Sequence, residues 1–294
     1  MTVLVLGSEG MLGHKLLQSL RDRLPDVTGT IQGTRDDTFY RGIELFRKGM
    51  LIERFDALNQ LTLRRTLEEI RPAVVVNCVG IIKQRHEANF PIPNIMLNAL
   101  LPHLIAEYLA AWNGRVIHFS TDCVFSGRRG QYTEDDPSDA EDLYGKTKYL
   151  GEVAAPNALT LRTSIIGREL RHFQSLLEWF LGQRGKTVRG FTRHFYSGVT
   201  TNHLAELVAA LIEHHPQMNG LYQVASQTIS KHDLLCLIRD AYGFDVEIVP
   251  DGDPFCDRSL IGTRFAAVTG FECPSWPELV VQLANDPTPY DAWR

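Results

Sequence analysis

Tyr144 and Lys148 lie four residues apart, the spacing that places two side chains on one face of a helix, one turn from each other. A phenol with a pKa near about 10 is a poor acid or base at neutral pH. A nearby ammonium favours the phenolate and makes proton transfer to and from the tyrosine easier. Thr121 can supply a hydroxyl donor to the same oxygen. We therefore predict that Thr121, Tyr144 and Lys148 are catalytic residues, in an arrangement suited to reducing a carbonyl group.

These residues belong to one stretch, 115–152, in which a polar loop rich in Gly, Asp and Pro joins a strand to a helix. The strand delivers Ser120, Thr121 and Asp122 at its carboxyl end. Taken alone, the tyrosine–lysine pair is better explained as part of an exposed amphipathic helix that carries an ordinary tyrosine. The order of the elements along the chain favours the catalytic interpretation, because a nucleotide-binding signature precedes the strand.

The chain opens on a glycine-rich loop between a strand and a helix. Val3–Leu6 has the pattern of a strand buried on both faces, and residues 14–24 have the pattern of a helix. The first glycine of the loop permits a tight turn, the second lets a pyrophosphate approach the backbone, and the third lets helix and strand pack closely. The helix amino terminus offers N–H groups and the positive end of its dipole to phosphates. The dinucleotide-binding residues predicted here are Gly7, Gly10, Met11, Leu12 and Gly13.

The end of the second predicted strand, residues 27–32, indicates which dinucleotide binds. In NAD-binding proteins an acidic residue near this point holds the ribose hydroxyls, whereas an arginine accommodates the extra phosphate of NADP. The chain has Arg35 there and no acid before Asp36. We therefore predict that Arg35 binds the phosphate and that NADP is favoured, with NAD as the alternative.

The alternation of strands and helices predicts an α/β fold, a Rossmann-like doubly wound parallel sheet whose ligands bind beyond the carboxyl ends of the strands. Residues 77–80 follow the fourth strand at this edge. Asp56 and Ala57 follow the third, although Asp56 is nearly as well explained as a helix cap. The additional residues predicted to contact the dinucleotide are Asp56, Ala57, Cys78, Val79, Gly80, Tyr144 and Lys148.

The pattern loosens after the sixth strand, which predicts two lobes. Residues 1–166 form the predicted NAD(P)-binding Rossmann domain, and residues 167–294 a smaller substrate-binding lobe. A segment near 198–226 is expected to return to the first domain. Within the lobe, residues 172–181 have a helical pattern, and the basic, aromatic stretch 185–197 either holds a phosphate-bearing substrate or is a solvated loop.

Composition argues against several classes of protein. The chain carries 30 basic and 35 acidic residues, and its net charge of −5 argues against nucleic-acid binding. No apolar run is long enough to span a bilayer, and the amino terminus runs straight into a strand without a secretory signal. The five cysteines show no CxxC pairing, so we expect neither disulfides nor zinc, and a cytoplasmic setting. No metal site is predicted, and four histidines that lack metal-ligand spacing are expected at the surface: His172, His194, His214 and His215.

With these motifs in place, the chain resembles the extended short-chain dehydrogenase/reductases over nearly its whole length. Within them it is most similar to the dTDP-4-dehydrorhamnose reductase family of nucleotide-sugar reductases. The matching segments are the glycine loop, an S-T-D-x-V-F-x-G motif at 120–127, a Y-G-x-x-K-x-x-G-E motif at 144–152, an L-R-T-S segment at 161–164, Arg258-Ser259-Leu260, and Trp276.

The resemblance implies hydride transfer from a reduced nicotinamide to the C4 ketone of a nucleotide-linked 4-keto-6-deoxyhexose, in the synthesis of polysaccharide precursors. Tyr144 would donate the proton to the nascent alkoxide. Lys148 would lower the tyrosine pKa and hold the nicotinamide ribose, while Thr121 would hydrogen-bond the ketone. The substrate would contact Thr121, Asp122, Tyr144 and Arg258. A homodimer is left open.

Departures from the family pattern leave the sugar open between a dTDP-linked and a UDP-linked, N-acetylated 6-deoxy sugar. Asn77–Gly80 replaces a more alanine-rich form, Ile165-Ile166 stands where an aromatic pair is usual, and Ile261-Gly262 replaces Leu-Asp.

Three other functions compete with this interpretation. A dehydratase of the same superfamily would carry Glu after Asp122, where this chain has Cys123. An epimerase with retained NAD would be expected to have an acid at the end of the second strand, which is absent. A regulatory subunit could keep the NADP-binding fold without turnover, although Thr121, Tyr144 and Lys148 argue against it.

Overall fold

The computed structural model of the protein describes residues 1–84 and 86–293. The strands are β1 (Val3–Leu6), β2 (Val27–Thr30), β3 (Met50–Ile52), β4 (Val74–Asn77), β5 (Arg115–Ser120), β6 (Ala158–Arg162), β7 (Ile165–Ile166), β8 (Thr187–Phe191), β9 (His194–Tyr196), β10 (Val199–Thr200), β11 (Gly220–Gln223), β12 (Ile229–Ser230), β13 (Glu247–Asp251) and β14 (Cys256–Asp257). The α-helices are α1 (Met11–Arg23), α2 (Thr38–Arg41), α3 (Glu44–Arg47), α4 (Gln60–Ile70), α5 (Pro91–Asn94), α6 (Leu101–Ala110), α7 (Leu143–Leu150), α8 (Leu176–Leu181), α9 (Thr201–His214), α10 (Lys231–Tyr242), α11 (Thr263–Thr269) and α12 (Trp276–Ala284). Short 3₁₀ turns cover His86–Asn89, Asp122–Val124 and Tyr290–Ala292, and a π-helical segment covers Ile95–Leu100.

A parallel sheet of seven strands forms the centre of the described chain, in the order β11-β6-β5-β4-β1-β2-β3. The strand order reverses between β1 and β4, the point beyond which ligands bind in sheets of this kind. The predicted Rossmann-like, doubly wound α/β fold is confirmed.

Side chains of β1 alternate between two apolar cores, one on each face of the sheet. Val3 and Val5 belong to the core that includes α1 and α9, and Leu4 and Leu6 belong to the core that includes α4 and α6. Helix α9 packs against α1, and β11 pairs with β6. These contacts support the proposed return of residues 198–226 to the first domain.

A third apolar core lies within the proposed substrate-binding lobe. It joins Leu177 of α8, Leu234 and Ile238 of α10, and Trp276 of α12. Strands β8 and β13 pair in parallel, and β9 lies between β12 and β14. This separate core supports the proposed division near residue 166.

Two local expectations in this lobe are corrected. The helix expected at 172–181 begins only at Leu176, because His172 and Phe173 have φ angles of 74° and 50°, outside the helical region, and Ser175 caps the helix. The stretch 185–197 is not a loop but contains β8 and β9.

The carboxyl-terminal segment is held against α1 by buried polar contacts. His14 Nδ1 lies 2.9 Å from the Gly10 carbonyl oxygen, so it carries the proton, and Nε2 accepts a 2.8 Å hydrogen bond from the Tyr290 hydroxyl. Lys15 Nζ forms an ion pair with Asp286 at 2.8 Å. Burial lowers the pKa of His14 from 6.5 to about 4, which keeps the imidazole neutral.

This buried histidine predicts an acid-sensitive fold. As the pH falls below 6.5, His14 becomes protonated in the unfolded chain, whereas in the folded protein it stays neutral until about pH 4. The contribution of His14 to the free energy of unfolding is therefore present at neutral pH and is lost as the pH falls. The contribution should reach about 3 kcal/mol across that window. Urea unfolding of the wild type and of His14→Gln at pH 7 and pH 4.5 checks this. Equal pH dependence in the two proteins would contradict it.

Candidate active site

A continuous groove runs along the carboxyl edge of the sheet. One part, a cavity of about 510 Å³, lies over the glycine loop and the ends of β2 and β3. The second part, about 420 Å³, lies between the end of β5 and the proposed substrate-binding lobe. Residues that line both cavities make them contiguous: Gly10, Met11, Cys78, Val79, Gly80, Ile81 and Glu169.

The glycine loop is shaped for close approach of an anion to the backbone. Gly7 has a φ of +76°, a conformation that favours glycine. No side chain in the described chain caps the amino end of α1, which starts after Gly10. The first N–H groups of this 13-residue helix are therefore left for a ligand. The loop and the extended groove together fit a dinucleotide.

Gly13 lines neither cavity, so its role is packing rather than contact with a ligand. A Cβ at this position would lie 2.0 Å from the Gly7 carbonyl oxygen, which is backbone and cannot rotate away. Gly13→Ala is therefore expected to destabilise the protein by about 3 kcal/mol or more. Gly10→Ala is the matched control, because its Cβ would meet the same oxygen at an ordinary 3.4 Å. Thermal unfolding of both variants checks the difference, and equal melting temperatures would contradict it.

Most of the predicted dinucleotide contacts line the groove. The predicted residues in the first cavity are Gly7, Gly10, Met11, Asp56, Ala57, Cys78, Val79 and Gly80. Those in the second cavity are Gly10, Met11, Leu12, Cys78, Val79, Gly80, Tyr144 and Lys148.

Arg35 is the exception, and its predicted role is corrected. Its Nε lies 3.1 Å from Glu53 Oε1, and its Nη2 donates to the Gly49 carbonyl oxygen at 3.0 Å. Arg35 does not line either cavity. The guanidinium is turned away from the groove because an acid and backbone carbonyls on the β3 side satisfy its donors.

The end of β2 does carry an acid, although it comes from the glycine loop. Glu9 accepts a 3.1 Å hydrogen bond from the Gln32 backbone N–H and another hydrogen bond from the Tyr40 hydroxyl. It also forms an ion pair with Arg171. Burial, helped by Glu9, raises the pKa of Tyr40 to about 12, so this phenol stays a donor. The expectation that no acid lies at this point was therefore wrong.

The predicted catalytic residues converge on the second cavity. Thr121 follows β5 and accepts a 3.1 Å hydrogen bond from the Cys123 N–H, which fixes the turn that also presents Asp122. Tyr144 and Lys148 both lie on α7, whose amino end is capped by Asp142. Helix and turn are in close contact, since a Cβ on Gly145 would lie 2.2 Å from the Cys123 carbonyl oxygen. The three side chains line one cavity with Asp122.

The electrostatics of the pair differ from the expectation. Burial raises the pKa of Tyr144 above its usual value, and a hydrogen bond with Thr121 offsets this only in part. Lys148 Nζ donates to the Phe119 carbonyl oxygen at 2.6 Å, and its charge does not outweigh the effect of burial on the phenol. Burial lowers the pKa of Lys148 to about 8, and the charge of Glu152 opposes that shift. At neutral pH the site therefore holds a protonated phenol and an ammonium.

The proposed substrate-binding lobe supplies the opposite wall of this cavity. The predicted Arg258 lines it and is fixed by a 2.8 Å hydrogen bond from its Nε to the Phe125 carbonyl oxygen. Lys231 of α10 lies 4.3 Å from the centre of the Tyr196 ring. His194 also lines the cavity, so the expectation of a surface position is corrected, and burial lowers its pKa to about 4. The wall is therefore cationic and aromatic.

Residues 1–255 match the family described as the RmlD substrate binding domain, which accounts for most of the 294-residue chain. The chain belongs to this family. The predicted family resemblance is thereby confirmed. The family match agrees with the groove and with the convergence of Tyr144, Lys148 and Thr121, which are the features expected of a nucleotide-sugar reductase.

Individual relatives of this RmlD-family chain differ in their names. The probable dTDP-4,6-dihydroxy-2-methyloxan-3-one 4-ketoreductase of Streptomyces antibioticus is 29% identical over 226 residues, 74% of this chain and 69% of the relative. The methionine adenosyltransferase 2 subunit beta of Danio rerio is 26% identical over 259 residues, 82% of this chain and 73% of the relative. The dTDP-4-dehydrorhamnose reductase of Bacillus anthracis str. Ames, solved in complex with NADP, aligns with a TM-score of 0.77 at 20% identity, covering 96% of this chain and 98% of that chain.

A buried ion pair supports the site of this RmlD-family protein. Arg162 at the end of β6 bonds both oxygens of Glu152, at 2.9 and 2.8 Å. Ser120 donates to the same carboxylate at 2.7 Å. The carboxyl ends of β5 and β6 are thus joined to the residue that follows the Tyr144–Lys148 helix.

The groove residues that were missed from the sequence include Glu9, Arg171 and Lys231. Glu9 was hidden at a variable position of the glycine motif, and Arg171 and Lys231 lie outside any motif. His194 and Tyr196 also line the groove, and they belong to the stretch 185–197 for which binding of a phosphate-bearing substrate was one of the two alternatives. Within residues 1–84 and 86–293, no group of three or more His, Cys, Asp or Glu side chains could hold a metal ion. Across the same ranges, every helix is too short or too polar to cross a membrane.

Proposed function

We propose that this protein is an NAD(P)H-dependent reductase that acts on the C4 ketone of a nucleotide-linked 4-keto-6-deoxyhexose. The observation that carries the proposal is the convergence of Thr121, Tyr144 and Lys148 at the far end of a groove that begins at the glycine loop. The names of a 4-ketoreductase relative and of a dTDP-4-dehydrorhamnose reductase with the same fold support this reaction class.

Tyr144 is the proton donor in the proposed reaction. Its raised pKa keeps the phenol protonated until negative charge develops on the carbonyl oxygen. Thr121 donates a second hydrogen bond to that oxygen, and the Lys148 ammonium stabilises the developing negative charge. A bound reduced nicotinamide supplies the hydride.

The glycine loop and the amino end of α1 are the proposed pyrophosphate site. Asp56 and Ala57 line the groove beyond it, and Cys78 to Gly80 line the wall that leads to Tyr144. We propose NADPH as the favoured dinucleotide, in keeping with the NADP bound to the Bacillus anthracis protein, and NADH as the alternative.

The cationic wall opposite Tyr144 fits the anionic diphosphate of a nucleotide sugar. Arg258 and Lys231 supply the basic side chains there, although burial lowers the pKa of Lys231, and Asp122 on the other side offers an acceptor for sugar hydroxyls. Both dTDP-linked and UDP-linked, N-acetylated sugars satisfy this chemistry. The product would be a precursor for polysaccharide synthesis.

Oxidation of NADPH with a panel of dTDP- and UDP-linked 4-keto-6-deoxy sugars, generated in situ by matching dehydratases, tests the proposal. Oxidation with one sugar, measured as loss of absorbance and confirmed by the reduced product, is the expected result. Nucleotide-dependent thermal stabilisation without oxidation of NADPH by any sugar would overturn it.

A regulatory subunit that binds NADP without turnover is the second candidate, because the matching relative in Danio rerio is named as a subunit. The retained Thr121, Tyr144 and Lys148 favour the reductase. The absence of an acid at the end of β2 no longer argues against an epimerase, because Glu9 lies there. Conversion of a sugar without net oxidation of NADPH would identify the epimerase.

We also propose a cytoplasmic setting and a homodimer. The five cysteines are all free thiols, which supports a reducing cytoplasm. A homodimer is supported by exposed apolar side chains between β4 and the end of α7: Phe90, Ile92, Ile95 and Leu150.

A further inference from the structure

We propose that the ion pair between Glu9 and Arg171 sets the choice between NADH and NADPH. This inference rests on the proposed function, because it assigns residues to the dinucleotide end of the same groove. In Rossmann-like folds this choice is made at the end of the second strand. In this chain Glu9 and Arg171 line the groove at that point and form an ion pair, while Arg35 is turned away.

The Glu9 carboxylate occupies the position of the usual strand-end acid. It lines the first cavity beside Thr30, Ile31 and Gln32, at the end of β2. The Gln32 N–H and the Tyr40 hydroxyl hold it there from the protein side. Glu9 is only 9% exposed, so its charge is fixed at the rim of the site rather than free in solvent. A carboxylate in this place accepts hydrogen bonds from ribose hydroxyls and repels a 2′-phosphate.

Arg171 brings the opposing charge from the other lobe. It contacts Glu9 and Gln32, and its guanidinium stacks over the Phe39 ring at 5.0 Å. It lines the same cavity, and about a third of its side chain remains exposed. A guanidinium has five donors in a planar fork, so one that already bonds a carboxylate has others for a phosphate.

The two charges have opposite effects on the 2′-phosphate of NADPH. Arg171 attracts it and neutralises Glu9, whereas Glu9 repels it. Because the pair is close to neutral overall, the wild-type protein is expected to bind NADH and NADPH with affinities within about tenfold of each other. Removing either member should move the preference in opposite directions.

The test uses equilibrium binding of NADH and NADPH to the full-length protein, measured by the fluorescence of the reduced nicotinamide, with no sugar present. Glu9→Gln keeps acceptors for Gln32 and Tyr40 but removes the charge, and should shift the Kd ratio towards NADPH at least about tenfold. Arg171→Gln leaves the carboxylate unpaired and should shift the ratio towards NADH by a similar factor. Arg35→Gln is the matched control, and should leave the ratio unchanged.

The outcomes of this binding experiment distinguish failure of the ion-pair proposal from failure of the proposed function. Failure of the wild type to bind either nucleotide would overturn the proposed function. Tight binding of both with an unchanged ratio in Arg171→Gln would overturn the role of the ion pair. Arg171 is a half-buried loop residue, so this variant decides the question even where Glu9→Gln fails to fold. If the ratio of the Kd values for NADH and NADPH changed in Arg35→Gln and in neither other variant, Arg35 would be the residue that contacts the 2′-phosphate.

Discussion

Replacement of Tyr144 by Phe is expected to reduce turnover by about 100- to 10,000-fold while the dissociation constant for NADPH changes little. The variant keeps the ring that lines the second cavity and loses only the hydroxyl. Because the phenol is the proposed proton donor, the carbonyl oxygen would then gain charge without a proton. Lys148 keeps its hydrogen bond to the Phe119 carbonyl oxygen, so the fold of the site should be preserved.

Steady-state kinetics with the sugar identified by the panel, together with nucleotide binding, check this result. Tyr149→Phe is the matched control, since Tyr149 lies on the same helix and is 44% exposed. It should turn over substrate like the wild type. Turnover by Tyr144→Phe within twofold of the wild type would remove this residue from the mechanism.

Replacement of Arg162 by Met is expected to lower the free energy of unfolding by about 3–5 kcal/mol. Arg162 is 1% exposed, and its guanidinium satisfies both oxygens of the buried Glu152 carboxylate. Without it, Ser120 is the remaining hydrogen-bond donor shown for that carboxylate in the described chain. Methionine fills a similar volume, so the loss would come from the unpaired charge rather than from a cavity.

Urea unfolding of Arg162→Met and of the double variant with Glu152→Met checks the cause. The double variant should recover much of the loss, because neither buried charge remains. Arg64→Met, which breaks an exposed pair with Glu68 on α4, should be indistinguishable from the wild type. An Arg162→Met protein as stable as the wild type would show that the pair contributes nothing.

The sequence was sufficient for the fold and for the central part of the site because those signals are local. Each motif is a short run at the carboxyl end of a strand, and parallel strands bring such ends to one edge. Thr121 after β5 and the Tyr144–Lys148 helix therefore line one cavity, as the resemblance implied.

What the sequence could not indicate depends on contacts between distant residues. Glu9 and Arg171 are 162 positions apart, and no spacing rule relates them. Arg35 occupied the expected position along the chain, yet Glu53 and the Gly49 carbonyl oxygen hold it away from the groove. The pKa of Tyr144 was expected to be lowered by Lys148, but burial dominates and raises it.

Transfer of deuterium from NADPH labelled at the nicotinamide C4 tests the proposed reduction most directly. After reaction with the nucleotide-linked 4-keto-6-deoxy sugar that the panel identifies, NMR of the product should place the deuterium on C4 of the sugar. The label should be absent when Tyr144→Phe replaces the wild type over the same time. Deuterium at another carbon, or a converted sugar without deuterium, would contradict direct reduction of the C4 ketone.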